Sequence, residues 1–531
     1  MIFYFILLSL IFNQHPKDFN INNYNTLDRY ENISNNNLNS NSIYDIRKVD
    51  DSYLLISTGM GLSYINIENN ELEKISFGSF NKDLVALPRG GAPALAVKNN
   101  IVAVSGIVDT SAVTGLELMG TGISYSLDFG ESWEYIEQPI DSIPISGQYH
   151  SISWGEQSLR ALSVTTEINN ITYDLSISED YIYAANWAGG VRRYGPLNEA
   201  EKTWQIIPLP MDTTIQLECG SIDQNYELNP NDPINGGNHN HKGFSVLVLN
   251  DTIWAGTANG INKGIIKSGC IDWIQHNTSD IAFGNISGNW VIGFHNQKIN
   301  NTIDRLWAIT WAGSGLNERN GLSYTDDGGN NWIKVSPSGY FDKVYNIYSH
   351  QNKIWASSET GLYLSLDGNH WEKYSDEKID SVTGERILAE SVLTTFFDND
   401  WLWIGTSDGL GIISNNNLSM TVHRYWNQGE PFSAYPNPFL IDEYNQFNGH
   451  GNVRFIYNNV NHYSSKIDIY DFAMERVIQL KNYNNINDYE TEIIWNGRNE
   501  YGDKVSNGVY FCRLLLNEKY FWTKLAIVKS N

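Results

Sequence analysis

The chain has 531 residues, with 35 basic against 60 acidic side chains for a formal charge of −25, and 41% of it is apolar. That length implies more than one domain, and that apolar share supplies a core. The charge argues against nucleic acid or an anionic membrane as a partner, and no run of basic residues offsets it.

Met1 to Phe12 reads MIFYFILLSLIF. It is too short to span a bilayer and suits the apolar part of a secretory signal, so residues 1–14 are assigned to a signal peptide. No other apolar run is long enough for a transmembrane span. Residues 15–42 are rich in Asn and poor in apolar side chains. They are expected to form a flexible approach that supplies a strand to the repeat region.

From residue 43 to 429 one phrase returns seven times: an apolar strand, a small-residue turn, then Gly-Leu or Gly-Ile opening another strand. It starts at Leu54, Ile101, Ile182, Ile253, Leu306, Ile354 and Leu402, which are 47, 81, 71, 53, 48 and 48 residues apart. Each copy follows a further apolar strand, such as FSVLVL from Phe244 or VYNIY from Val344. A period of about 50 residues with four short strands per unit predicts an all-β, seven-bladed β-propeller. The two long units hold insertions at Trp154 to Asn170 and Met211 to Lys242. Cys219 and Cys270 fall in one unit; they pair in an oxidising compartment or stand as separate buried thiols.

Three turns share a pattern. Ser126, Asp128, Gly130 and Trp133 lie in SLDFGESW, and Thr325, Asp327, Gly329 and Trp332 in TDDGGNNW. Ser365, Asp367, Gly368 and Trp371 lie in SLDGNHW, one residue shorter. The carboxylate is expected to bond backbone donors of its own turn while Trp packs between sheets. These turns resemble the Asp-box (BNR) repeat of sialidase-like propellers, in which they are structural. The resemblance implies an arginine triad and an Arg-Ile-Pro for sialidase chemistry. Arg89, in LPRGG, lacks that setting, so no catalytic residue is assigned. The phrase at Trp403 to Leu410 also resembles the sensor propellers of hybrid two-component regulators.

No P-loop, Gly-x-Ser-x-Gly or dinucleotide fingerprint occurs, so no cofactor is expected. His239 and His241 in NGGNHNHKG lack a third ligand nearby, and no metal site is assigned. In a propeller, the loop before each first strand and the turn between second and third strands share one open face. That places Trp187, Trp311, Arg89, His150, His241, Lys242 and Arg386 on a candidate face for a glycan or protein ligand, the alternative for the two tryptophans being that they fold back as packing between sheets. The alternative is a glycan-active hydrolase or lyase in the same funnel.

Prolines 431, 436 and 438 mark residues 430–439 as an extended linker. Six alternating strands come next, which suits a small Ig-like sandwich over residues 440–531. Tyr435, Pro436, Asn437, Pro438 and Phe439 in YPNPF open a longer pattern. It continues with Trp495 and Gly497 in WNGRN, then Gly502, then Gly508 and Tyr510 in NGVYF. This pattern resembles the C-terminal sorting domains of the type IX secretion system and the related FlgD-type Ig-like domain. The resemblance implies the type IX machinery as a partner and a secreted or cell-surface location.

Overall fold

A computed structural model describes residues 38–528, apart from 68–74, 81–85, 113–114, 142–147, 222–226, 231–237, 268, 280–284, 300–303, 314, 336–342, 375–386, 399, 415–419, 426–430, 436, 442–451, 458–462 and 483–491. The expected signal peptide lies outside the described residues.

From residue 43 onward the chain builds antiparallel sheets whose strands are neighbours in sequence order. The sheets occupy residues 43–79, 95–136, 172–207, 243–276, 290–335, 344–373 and 392–423. Each has four strands, except that the fourth sheet gains a fifth, Gln216–Leu217, from the second insertion. The other insertion forms a separate small sheet of Tyr149–Trp154, Gln157–Leu162 and Glu227–Leu228. The first strand of each sheet packs against the first strand of the next, and Val392–Asp398 of the last packs against Ile43–Lys48 of the first. The sheets therefore close a propeller-like ring about one axis.

The recurring phrase is a hydroxyl-closed turn. Thr406 Oγ1 accepts from Asp408 N at 3.0 Å and donates to Gly409 O at 2.8 Å. Thr58, Thr257 and Ser358 repeat both bonds in their own sheets. The glycine that closes the turn must take positive φ, at 113° for Gly409, a conformation that side chains resist.

Six of the first strands carry a bulge at the same place, next to this turn. Tyr44, Tyr173, Phe244, Ile292, Tyr345 and Leu393 are the extra residues. The residue after the bulge is polar or small in each case, and several reach the neighbouring sheet. Asp174 Oδ2 accepts from Val246 N at 3.0 Å, and Ser245 Oγ donates to Val291 O at 2.8 Å. These bonds satisfy inner-strand backbone groups that water cannot easily reach.

Two expectations are corrected here. Of the expected flexible segment, residues 15–37 lie outside the described residues, while 38–42 are buried rather than flexible. Asn41 bridges first and last sheets. Its Nδ2 donates to Tyr425 O at 2.9 Å, its Oδ1 accepts from Tyr425 N at 2.6 Å, and its carbonyl accepts from Gly409 N at 2.8 Å. The expected linker is also part of the C-terminal unit. Phe432–Tyr435 pairs with Val453–Tyr457, and Phe432 and Phe439 are buried in its core.

That unit has two sheets around one core. Strands Phe432–Tyr435, Val453–Tyr457 and Glu492–Trp495 form one sheet. Strands Phe439–Leu440, Lys519–Val528, Gly508–Leu516, Ser465–Tyr470 and Arg476–Asn482 form the other.

Asn41→Ala removes two of the bonds that close the ring, those to the part-buried Tyr425 backbone. A loss of about 1–3 kcal/mol is expected in thermal or urea unfolding. Hydrogen exchange should speed up in the first and last sheets together, and a change confined to residues near 41 would refute the bridging role.

Candidate binding face

The bulge residues lie level with the turns between second and third strands, so they surround the axis at that end. Tyr173, Phe244 and Ile292 are buried in one apolar cluster, and half-buried Tyr44, Tyr345, Trp290, Ala188 and Leu118 pack against it. Leu118 arrives from a long hairpin of Ile101–Ala112 and Gly115–Ser126. Farther along the axis the lining becomes polar. Asp45, Asp174 and Tyr348, from three sheets, lie close enough to Arg47 to raise its pKa, with Asp45 foremost. Burial and the charge of Arg47 push the His295 imidazole down to about 4.

Trp187 and Trp311 are buried, as the packing alternative for both indoles has it. Trp187 stacks on Phe244 with ring centroids 5.5 Å apart, and Lys242 lies 5.4 Å from the centroid of the Trp187 ring. Trp311 donates from Nε1 to Val344 O at 2.8 Å, with Lys343 5.0 Å from the ring. Both indoles thus wedge between their own sheet and the next, each under the lysine that precedes the next first strand. Neither offers a free stacking surface.

The remaining face residues do not converge on one point. His241 is buried beside Trp187's sheet, and desolvation pushes its imidazole down to about 4. His239 instead stands 3.6 Å from Asp212. Among the described residues no group of three or more His, Cys, Asp or Glu side chains could hold a metal ion. Arg89 is exposed near the second sheet, and His150 sits in the small added sheet with Nδ1 3.1 Å from Ser163 Oγ. Arg386 lies outside the described residues. The rim residues Tyr44, Trp290 and Tyr345 were missed. Aligning IYDI, GFSV, VIGF and VYNI puts Tyr44 and Tyr345 at one shared position, the bulge, while Trp290 falls two residues before it.

Both insertions are tied down. Asp141 pairs with Arg192 at 2.7 Å, both nearly buried, and accepts from Val164 N and Thr165 N. Asn240 bonds Pro210 O, Asn262 and Thr257, and Cys219 is bonded to Cys270. The disulfide anchors the second insertion to the outer strand of the fourth sheet.

The three Ser/Thr-x-Asp turns lie at the opposite end of the ring. In the first, Gly130 N donates to Ser126 Oγ at 2.8 Å and Ser132 N to Asp128 Oδ1 at 2.8 Å. The second repeats this with Thr325 and Asp327, and the third with Ser365 and Asp367. Phe129 and Gly130 both have positive φ, as do Gly328 and Gly329. The shorter third turn uses Gly368. Each Trp packs on the preceding sheet: Trp133 on Phe80, Trp332 on Trp254 and Trp371 on Trp307.

The C-terminal pattern also gathers at one corner. Phe439 and Tyr510 both pack on Trp495, with centroids 6.2 and 6.3 Å away. Asn437 Nδ2 donates to Lys524 O, and its Oδ1 accepts from Ala526 N. Gly497 has φ 70°, and a Cβ there would lie 2.4 Å from Ile441. Tyr435 lies in the strand before this corner, Gly502 and Gly508 have positive φ, and Pro436 lies outside the described residues. This unit touches the ring through Arg454. Its guanidinium bonds Asp408 at 3.1 and 2.5 Å, with Arg424 at 3.5 Å from the same carboxylate. All three side chains are buried.

No family model matches the chain, and no curated protein matches it. Solved structures do resemble it. PorZ, a surface component of the type-IX secretion system of Porphyromonas gingivalis, is 13% identical with a TM-score of 0.39; the match covers 92% of this chain and 66% of that one. YCF48 bound to D1 peptide is 13% identical with a TM-score of 0.39, over 73% of this chain and 96% of that one. The extracellular domain of a hybrid two-component system from B. thetaiotaomicron is 11% identical with a TM-score of 0.33, over 93% and 85%.

The Ser126 and Ser132 hydroxyls, with Ser132 N, hold the Asp128 carboxyl down to about 2. Its contribution to stability is complete above the unfolded value near 4 and is lost as pH falls through 2. Asp128→Asn should therefore lower the melting temperature at pH 7, and the gap from the parent should close toward pH 2. A gap that stays constant across that range would exclude the ionised turn.

Proposed function

We propose that this chain is an exported, seven-bladed propeller of the Asp-box type. Its aromatic rim binds a protein or glycan, and a C-terminal Ig-like domain of the type IX sorting kind carries it to the cell surface. The observation that carries the binding reading is the half-buried aromatic rim of Tyr44, Trp290 and Tyr345 over the axial cluster. Half-buried aromatics present apolar surface without the entropy cost of ordering long side chains on binding. The apolar filling beneath them counts against a ligand deep in the funnel and against glycan cleavage there, which needs two carboxylates facing a bound sugar, and leaves the rim as the surface for recognition. The export reading rests on the YPNPF, WNGRN and NGVYF residues and their shared corner around Trp495.

The full-length chain should bind members of a glycan or cell-surface protein panel. Trp290→Ala with Tyr345→Ala should weaken that binding by about tenfold or more, the usual weight of central aromatic contacts. An unchanged profile in the folded double variant would rule the rim out. Export is read separately. Deleting residues 431–531 in the native cell should leave the ring inside the envelope, and undiminished surface labelling would reject the sorting role.

A further inference from the structure

We propose that the outer face of the five-stranded C-terminal sheet is a second binding surface, specific for an acidic polysaccharide. The inner face of this sheet is spent on the core through Ile467, Ile469, Cys512, Leu514, Leu525 and Ile527. Strand register fixes what points the other way. One row across the sheet is Lys481, Lys466, Leu515 and Tyr520. The next is Gln479, Asp468, Arg513 and Trp522, and beyond it lie Arg476, Tyr470, Phe511 and Lys524.

Arg513 sits at the centre of this face. Its guanidinium lies 5.1 Å from the Tyr470 ring centroid, 5.0 Å from Tyr520 and 5.6 Å from Trp522. Asp468 holds it from below at 2.9 Å. Despite these contacts, Tyr520 remains 58% exposed and Trp522 50% exposed. Monomeric surfaces rarely leave such aromatics in a contiguous patch without a partner.

Charge selects the occupant. These rows carry Lys466, Lys481, Lys524, Arg476 and Arg513 against Asp468, with Glu500 paired to Arg476 at 3.2 Å. The whole chain is at −25. The net charge opposes any anion at a distance, but salt screens that field beyond about 8–10 Å, so the local cationic rows decide what docks on this face. Flat aromatic faces suit the C–H surfaces of sugar rings, and a guanidinium fixed in advance suits carboxylate or sulfate. The sheet offers a plane rather than a pocket, which fits a polymer lying across it.

Gel retardation of the full-length chain tests this. Polygalacturonate and chondroitin sulfate are the acidic probes, with dextran as the neutral polymer. Phosphatidylglycerol vesicles and duplex DNA are the competing anions. Retardation by an acidic polymer, but not by dextran, is expected. Tyr520→Ala with Trp522→Ala should weaken it by about tenfold, and Lys466→Glu with Lys524→Glu by a similar factor. Trp290→Ala with Tyr345→Ala should leave it unchanged, which separates this face from the rim. The proposal falls if neither acidic polymer retards the chain, or if dextran retards it equally. It also falls if vesicles or DNA bind as tightly, or if both folded surface variants keep parental retardation.

Discussion

Each sheet of the ring is apolar on both faces, and its neighbours are what cover it. Close approach between consecutive sheets is therefore the constraint on which the other features depend. It explains why side chains after the bulge bond the next inner strand, as Asp174 does with Val246 and Ser245 with Val291. It also adds a second reason for glycines whose positive φ already favours them. A Cβ at Gly329 would meet Trp254 at 2.7 Å, and one at Gly368 would meet Trp307 at 2.9 Å. Those indoles come from the preceding sheet, so each of these two Ser/Thr-x-Asp turns is shaped by its neighbour as well as by its own carboxylate.

Much of this was legible because it is local. The spacing of the Gly-Leu phrase marks the sheets, and in four of them one hydroxyl and one glycine three residues later close the turn within its own segment. The Asp turns were readable for the same reason. Trp187 and Trp311 were not. A tryptophan in a turn reads equally as exposed or as packing until the next sheet is in place, and Phe244 and Val344 cover these two from 57 and 33 residues away. The bulge residues stood in the sequence at a constant place, yet a period-two reading of the strands assigns them to a sheet face rather than to the axis. The cationic face of the C-terminal sheet was hidden by distance along the chain. Lys466, Lys481, Arg513 and Lys524 form no run, and register alone brings them together.

The junction between first and last sheets bears two functions at once. Gly409 N bonds Asn41 O, which helps close the ring, and the preceding Asp408 bonds Arg454 of the C-terminal unit. Burying Asp408 with two guanidinium groups costs several kcal/mol per ion before their attraction and hydrogen bonds offset it. Such a contact is a poor source of net stability but a strict determinant of geometry, because a shifted arginine would leave a buried charge unmet. It fixes the C-terminal unit at the turn between second and third strands of the last sheet, at the rim end of the axis. A load on that unit is thus passed to the seam that closes the ring. The rim, the seam and the C-terminal attachment share one end, while the Asp turns brace the other.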